Sequence, residues 1–252
     1  MTERDNSLAW RVERALQMAW PALDEQRCGD WLARFAPGVS RRSNSANPTR
    51  ADLRNIDADI AACEAAYRAR GLPAMFRLPG IAAPAADERL ARLNYVAEGE
   101  TVTLRAALAP GARDAEVSIS ARPDAAWLAA MAELQGQTPE HAAIYGDVVR
   151  SIAIPAGFAS LREDGEWAAL AYGAVSDRLL CCESVVAHPR RRGRGHGRRI
   201  MKALLAWAAE QGARDVCLQV AADNGPGRAL YRSLGLTSEL YRYHYRRAPN
   251  AA

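Results

Sequence analysis

The segment from His188 to Arg199 has the residue types of an anion-binding loop. Gly193, Gly195 and Gly197 alternate with arginine or histidine, and an amphipathic helical pattern follows them directly. Glycine lets a ligand come close to the backbone because it has no Cβ. The first amides of a helix have no intrahelical partner and lie at the positive end of its dipole. The segment therefore predicts a pyrophosphate or similar ligand, with charge-assisted donors added by Arg192, Arg194 and Arg198.

Two well-known phosphate loops do not fit this segment. A Walker loop requires Gly-Lys-Ser/Thr at the start of the helix, and the sequence has no such tripeptide there. A dinucleotide-binding fingerprint requires a parallel βαβ unit, whereas the strands before this loop are predicted to form an antiparallel meander. A nucleic-acid-binding arginine patch stays open as an alternative, although the net charge of +4 does not by itself require one.

The elements around the loop predict an α/β (α+β) fold with a mixed, mostly antiparallel sheet flanked by helices. A strand at 116–121 precedes a helix with Asp124 as its N-cap and Gly136 at its end. The next helix has Thr138 as its cap and Pro139 at its first position. Three antiparallel strands are predicted over GFASLRE, WAALAYGAV and RLLCCESVV. After the loop come an amphipathic helix, the strand DVCLQV, the short helix GRALYRSLG and the strand SELYRYHYRR.

The sequence also contains an internal repeat. Residues 71–93 align with residues 212–234 without a gap, and each copy predicts a glycine turn, a strand, a loop and a short helix. Asn94 occupies the place of Gly235, and Asn is the usual non-glycine residue in a left-handed helix cap. The stretch RAALAPGARDAE, which lacks periodicity, divides the two copies. We therefore expect a first domain, a linker and a second domain at residues 1–108, 109–115 and 116–252.

The loop and the residues after it resemble the GNAT N-acetyltransferases. Arg192, Gly195 and Gly197 fill the family pattern Arg/Gln-x-x-Gly-x-Gly/Ala, and Asn224 with ALYRSLGL resembles the downstream family segment. The resemblance covers roughly residues 116–247. The segments LQVAADNGPGRALYRSLGL and GDWLARFAPGVSRRSNSANP are similar to a bacterial branch with a degenerate GNAT-like half at the N-terminus. The resemblance therefore implies tandem GNAT-like domains, of which the second is catalytic.

The resemblance implies acetyl-CoA as the co-substrate and no metal. The loop would hold the pyrophosphate, the strand before it would pair with the pantetheine arm, and a backbone amide of that strand could polarise the thioester carbonyl. Asn224 would contact the cofactor arm, although a simple turn residue is the alternative. The implied cofactor-binding residues are Val185, Val186, Ala187, Arg192, Gly193, Arg194, Gly195, His196, Gly197, Arg198 and Asn224.

Two residues are candidates for proton transfer. Tyr231 lies where many family members have the acid that protonates the departing thiolate, and core packing is the alternative role. An alkyl amine with a pKa near 10.4 is protonated at pH 7, and freeing its lone pair costs about 4–5 kcal/mol. Glu183 is the candidate base, and we expect it to share a strand face with Val185 and Ala187. A structural ion pair with an arginine is the alternative for Glu183.

The first half of the sequence lacks the anion-binding loop. Its corresponding segment, NSANPTRADLRNIDAD, contains no Arg-x-x-Gly-x-Gly, and Leu90 takes the place of Tyr231. We therefore expect this half to bind no acyl-CoA and to serve as a scaffold or as a wall of the acceptor site.

The sequence as a whole predicts an acyl-CoA-dependent N-acyltransferase. It would transfer acetyl from acetyl-CoA to a primary amine, by direct attack in a ternary complex. The acceptor would be a small molecule or a peptide, with no nucleic-acid or membrane partner, and the protein would be a monomer or a homodimer. The N-terminus has no signal-peptide core, so we expect a cytoplasmic protein. A non-catalytic acyl-CoA-binding module and an arginine-rich nucleic-acid-binding protein are the alternatives.

Overall fold

The computed structural model describes residues 6–37, 40–82 and 84–249. These residues form two compact units, each of which combines separate parts of the chain. The first unit consists of residues 6–11, 22–103 and 240–249, and the second of residues 12–21 and 104–239. The division of the sequence at residues 109–115 concerns the two repeated halves and stays a prediction.

The helices and strands follow one another in a mixed order. Up to residue 107 they are α1 (Leu8–Ala19), β1 (Asp24–Cys28), β2 (Trp31–Phe35), β3 (Ala46–Pro48), α2 (Ile56–Arg68), β4 (Met75–Pro79), α3 (Ala85–Arg92) and β5 (Val96–Ala107). They continue with β6 (Val117–Ser120), α4 (Ala125–Gln135), α5 (Pro139–Arg150), β7 (Ala156–Glu163), β8 (Glu166–Ser176), β9 (Leu179–Ala187), α6 (His196–Glu210), β10 (Asp215–Ala221), α7 (Gly225–Ser233) and β11 (Ser238–Arg247).

In the first unit the strands lie in the order β1-β2-β3-β4-β11-β5. Most of the pairs are antiparallel, and β3 and β4 are parallel. The core of this unit is built from aromatic and aliphatic side chains with almost no exposed surface, among them Trp31, Tyr67, Phe76 and Leu90. Leu90, which takes the place of Tyr231 in the repeat, is thus a packing residue.

In the second unit the order is β5-β10-β9-β8-β7-β6. The strands β6 to β9 form the predicted antiparallel meander, and β9 and β10 are parallel. The predicted caps are confirmed, because the side chains of Asp124 and Thr138 accept hydrogen bonds from the first turns of α4 and α5. Gly136 ends α4 in the left-handed conformation. The mixed, mostly antiparallel fold flanked by helices is confirmed.

The backbone repeats the pattern found in the sequence. Asn94 and Gly235 have φ values of +62° and +86°, so Asn94 does adopt the left-handed conformation that its position requires. The amide of Tyr95 donates to the carbonyl of Leu90, and the amide of Leu236 donates to that of Tyr231 in the same way. The same backbone geometry therefore follows a leucine in one copy and a tyrosine in the other. In the part of the chain that the structure describes, no helix is both long enough and apolar enough to cross a membrane.

Candidate active site

The anion-binding loop joins β9 to α6 within the second unit. A single 3₁₀ turn, Pro189–Arg191, is followed by an extended Arg192, and Gly195 is the N-cap of α6. The backbone bond from Arg199 to the Gly195 carbonyl, 3.0 Å long, closes the first helical turn. Helix geometry leaves the amides of residues 196–198 without intrahelical acceptors, so these donors are available to a ligand.

The three loop glycines are required for two different reasons. Gly193 and Gly195 have φ values of +79° and +81°, where an L-residue is strained, and a Cβ on either would meet no atom within 4 Å. The backbone is therefore open to a ligand at both positions. At Gly197 a Cβ would lie 3.2 Å from Cδ2 of Leu230, so this glycine lets α6 approach α7.

One loop arginine anchors the loop to the β7–β8 hairpin. Arg191 donates to Glu163 and Glu166, each at 2.7 Å, and reaches Asp164 at 3.4 Å. Glu163 also accepts from Arg194 at 3.1 Å. The hydrogen bond from Arg191 is the main cause of the lowered pKa of Glu163, and the charges of nearby basic residues lower it further. The acidic hairpin thus holds the loop in place and neutralises part of its charge.

Arg192 and Arg198 of the loop differ from Arg191 and Arg194 in their contacts. Arg192 and Arg198 are exposed, and neither forms an ion pair with any residue that the structure describes. Arg199, in contrast, is bound by Asp114 and Glu116. Two unpaired guanidinium groups therefore stand beside the free amides, which is the donor set that a pyrophosphate requires.

His196 lies behind the loop and is only 3 % exposed. Neither of its ring nitrogens has a hydrogen-bond partner among the described residues, and Nε2 lies 3.5 Å from Oε2 of Glu163. A buried polar group without a hydrogen bond is costly. The imidazole is therefore a buried polar group with unused hydrogen-bonding capacity at the start of α6.

The pairing of β9 with β10 ends before β9 reaches the loop. Their parallel pairing runs from Leu179 and Asp215 to Cys182 and Leu218. β9 then continues to Ala187 without a paired residue on β10. The backbone of residues 183–187 thus has no ladder partner on β10, as expected for a strand that pairs with an extended ligand arm.

A β-bulge interrupts β9 at the beginning of this unpaired segment. Glu183 pairs with Tyr172 and Val186 pairs with Leu170, so two residues of β9 lie opposite a single residue of β8. Ser184, inside the bulge, has a φ of +51°. A bulge of this kind turns the local peptide groups away from the regular ladder.

The bulge overturns one expectation about the candidate base. Glu183 was expected to share a strand face with Val185 and Ala187. Ala187 pairs with Ala169, however, which lies three residues from Tyr172, the partner of Glu183. Paired residues share a face and successive residues alternate, so Glu183 and Ala187 lie on opposite faces and the expectation is wrong. The extra residue of the bulge is the physical reason.

Tyr231 and Glu183 are close to each other. Burial raises the pKa of Tyr231, and smaller contributions come from Cys182 and Glu183, so the phenol lies within electrostatic reach of both. The Tyr231 hydroxyl forms no hydrogen bond within the described part of the chain. Glu183 is 4 % exposed. The structure therefore places a phenol and a carboxyl group within electrostatic reach of each other, while their catalytic roles stay predictions.

Asn224 has a structural partner at the start of α7. Its Oδ1 accepts a hydrogen bond of 2.9 Å from the amide of Gly227, which makes it the N-cap of this helix. A Cβ on Gly227 would come within 2.7 Å of the Asn224 side-chain nitrogen, which explains why glycine occurs here inside a helix. The cap accounts for Asn224 without a ligand, and its contact with the cofactor stays a prediction.

Sequence reasoning missed a pair of residues at the bulge. The Tyr145 hydroxyl, on α5, donates a hydrogen bond of 3.0 Å to Oγ of Ser184. Neither residue type is unusual in its element, and the two positions are distant in sequence. No local signal could have identified them, since the pair exists only in the folded chain.

The first unit has a small cavity at the corresponding end of its parallel strands. It measures about 440 Å³ and lies beside the loops that follow β3 and β4 and at the start of α3. Its lining residues are Ser7, Trp10, Ala51, Asp52, Gly80, Ile81, Ala82 and Pro84. Trp10, which is 2 % exposed, belongs to this unit and occupies space beside these loops. No residue of this lining supplies a guanidinium group.

Metal and disulfide chemistry have no visible site among the residues described. No cluster of three or more His, Cys, Asp or Glu side chains there could hold a metal ion. The five cysteines are buried thiols, and Sγ of Cys181 lies 3.5 Å from Sγ of Cys217 across the β9–β10 pair. The hydrogen bond with the Cys217 thiol and burial raise the pKa of Cys181, so the Cys181 thiol packs as a neutral side chain.

Comparison with known proteins identifies relatives over nearly the whole chain. A family model described as "Probable histone acetyltransferase Rv0428c C-terminal" matches residues 9–246. The "Uncharacterized N-acetyltransferase YobR" of Bacillus subtilis (strain 168) is 27% identical over 94% of this chain and 97% of its own length. A GCN5-related N-acetyltransferase from Kribbella flavida superposes with a TM-score of 0.74 at 18% identity, covering 97% of both chains. A tandem GNAT protein from the clavulanic acid biosynthesis pathway has a TM-score of 0.62 at 16% identity, covering 82% of this chain and 76% of its own.

Proposed function

The chain belongs to the GNAT N-acetyltransferases, in the Rv0428c C-terminal family, and we propose that it transfers acetyl from acetyl-CoA to a primary amine. The transfer occurs by direct attack of the amine in a ternary complex. The observation that carries this proposal is that the anion-binding loop directly follows the part of β9 that has no ladder partner on β10. A cofactor with a diphosphate at one end and an extended thioester arm at the other fits this arrangement.

The loop residues hold the diphosphate. The amides from Gly193 to Gly197 donate to its oxygens, and Arg192 and Arg198 neutralise its charge because no carboxylate of the described chain competes for them. Arg194 shares its guanidinium group with Glu163. His196 uses the capacity of its unpaired ring nitrogens at the same helix start.

The unpaired edge of β9 orients the thioester. Val185, Val186 and Ala187 offer backbone donors and acceptors to the amides of the pantetheine arm, and Asn224 offers its side-chain amide nitrogen from the start of α7. A backbone N–H at the bulge polarises the thioester carbonyl. Such preorganised donors stabilise the negative charge that develops on the oxygen during attack.

Glu183 and Tyr231 handle the two protons. Glu183 accepts a proton from the ammonium group of the acceptor, directly or through water, and so offsets the cost of freeing the lone pair. Tyr231 donates its proton to the sulfur that leaves. Burial keeps the pKa of Tyr231 high, so the phenol is protonated at neutral pH when the thiolate forms.

The acceptor is a small-molecule or peptide amine. The matched family is described as a probable histone acetyltransferase, so a lysine-containing peptide belongs among the acceptors to be tried. We propose further that the protein works in the cytoplasm as a monomer or homodimer, without a nucleic-acid or membrane partner. The first half of the chain binds no acyl-CoA, and mass spectrometry of the complex should find one CoA per chain.

The test combines a thermal shift with a thiol-release assay. Acetyl-CoA should raise Tm, and thiol release should depend on one class of amine in a panel of polyamines, amino acids, aminoglycosides and lysine peptides. Stabilisation without thiol release from any amine would indicate a non-catalytic acyl-CoA module. Absence of stabilisation, together with RNA binding that weakens steeply with salt, would indicate the nucleic-acid-binding alternative. The matched control for Arg192→Glu is Arg92→Glu, since Arg92 is an exposed arginine on α3 of the first unit and belongs neither to the loop nor to the hairpin that holds it.

A further inference from the structure

We propose that Tyr145 is a positioning residue, which holds the β9 bulge in the orientation needed for polarising the thioester carbonyl. It acts through Ser184 and does not touch the reacting groups. This inference rests on the proposed function, because it assigns a role in that same site to a residue on a different element. Three observations carry it: the backbone conformation of Ser184, the hydrogen bond to Tyr145, and the packing that fixes Tyr145.

Ser184 has a conformation that its own chemistry does not favour. Six non-glycine residues among those described have positive φ, and Ser184 is the one that lies inside a strand. The others occupy loops, turns or a helix cap, where Asn and Asp are frequent. A serine keeps a left-handed conformation within a strand only when the surroundings impose it.

The contact that imposes this conformation comes from α5. The Tyr145 hydroxyl donates to Oγ of Ser184 at 3.0 Å, and Tyr145 is 2 % exposed. Its ring lies 5.8 Å from that of Trp20, which in turn stacks on Tyr172 at 6.4 Å. Tyr172 donates to the carbonyl of Ala19 at 2.9 Å, so the end of this aromatic chain that lies away from Ser184 is fixed to the backbone. The hydroxyl that reaches Ser184 is therefore rigidly placed.

The location of the bulge determines which peptide groups this hydrogen bond can orient. The pairing of β9 with β10 ends at Cys182, and the bulge begins two residues later, in the part of β9 that has no partner on β10. No ladder to β10 fixes the peptide groups of Ser184 and Val185 on that side. The hydrogen bond from Tyr145 replaces the missing ladder as the constraint on their direction.

The experiment compares Tyr145→Phe, Ser184→Ala and the double variant with a matched control. The control is Tyr67→Phe, which removes another buried hydroxyl, one that donates to the Arg34 carbonyl at 3.1 Å in the first unit. Complete loss of one oxyanion donor costs about 100- to 1,000-fold in turnover. Loosening the donor without removing it should lower kcat about 10-fold, with the Kd of acetyl-CoA changed less than twofold.

The double variant should be no slower than either single variant, since both substitutions break the same bond. The control should keep the wild-type kcat at temperatures well below its Tm. The proposal would be overturned if the losses of kcat in the two single variants multiplied in the double variant. It would also be overturned if the kcat of Tyr145→Phe lay within twofold of the wild-type value. An equal loss of kcat in the control would do so too, because the effect would then be general to buried hydroxyls.

A second measurement separates this inference from the proposed function. Amide hydrogen exchange of residues 184–186 is followed in the ligand-free protein, where it does not depend on any activity. Exchange should become at least tenfold faster in Tyr145→Phe and stay unchanged in the control. Unchanged exchange in Tyr145→Phe refutes the positioning role even in an active enzyme. If exchange is faster in Tyr145→Phe but the wild-type protein releases no thiol with any amine, the proposed function is refuted, whereas the positioning of the bulge by Tyr145 is supported.

Discussion

Replacing Gly195 by alanine tests whether the start of α6 receives the cofactor. Gly195 and Gly212 lie at opposite ends of the same helix, with φ values of +81° and +83°. A Cβ on either residue would meet no atom within 4 Å. The two substitutions therefore introduce the same backbone strain and no steric clash, and Gly212→Ala is a matched control for Gly195→Ala.

The expected magnitudes follow from this symmetry. An alanine in the left-handed conformation costs about 1–2 kcal/mol, and both variants should lose this much stability. At Gly195 the new methyl group also projects into the space open to the diphosphate. Loss of one charge-assisted hydrogen bond there costs about 1.5–3 kcal/mol, which corresponds to a loss of affinity of roughly 10- to 150-fold.

Calorimetric titration with acetyl-CoA and thermal unfolding measure the two quantities separately. Both variants should unfold a few degrees below the wild type, and only Gly195→Ala should bind acetyl-CoA more weakly. If the two variants bind acetyl-CoA with the same affinity, the start of α6 is not the diphosphate site. If only one of them is destabilised, the assumption of equal backbone strain fails.

Three further predictions concern individual side chains. Tyr231→Phe should lower kcat by about 100-fold with little change in the Kd of acetyl-CoA. Because burial raises the pKa of Tyr231 above its ordinary value of about 10, deprotonation of this residue should not lower the rate at any pH below about 10. Arg192→Glu should weaken acetyl-CoA binding by about 100-fold through repulsion of the phosphates, as measured by titration at fixed salt. An effect equal to that of Arg92→Glu would contradict this. Glu163→Gln should lower Tm at neutral pH. The pKa of Glu163 is lower in the folded state than in the unfolded state, so its ion pairs stabilise the fold fully at pH values above the unfolded-state pKa. This stabilisation is lost as the pH falls through the folded-state pKa. The difference in Tm between Glu163→Gln and the wild type should therefore vanish in acid.

The features that the sequence predicted correctly depend on local chemistry. Asp124 and Thr138 cap their helices because a short polar side chain satisfies amides two or three residues away. Asn94 could be placed in a left-handed cap because few other residues adopt that conformation at low cost. The glycine loop before α6 was recognisable for the same reason, since its spacing and its flanking helix are contiguous in the chain.

The features that the sequence did not predict depend on distant partners. The bulge at Ser184 is held by Tyr145, and nothing in the letters around either residue indicates the other. The strand face of Glu183 was predicted wrongly, because a single inserted residue reverses the alternation. Which arginines of the loop stay unpaired was likewise not predictable, since this depends on the carboxylates of a hairpin that packs against the loop.

The division of the chain between the two units has a consequence for biosynthesis. The first unit needs residues 240–249, which form most of β11 and pair with β4, more than 150 residues earlier in the chain. Domains usually fold in the order in which the ribosome releases them. Here the first unit cannot complete its sheet until the second unit has been synthesised. During this time the edge of the nascent β4 that pairs with β11 stays unpaired. We expect this interval to be the period in which the chain is most dependent on chaperones.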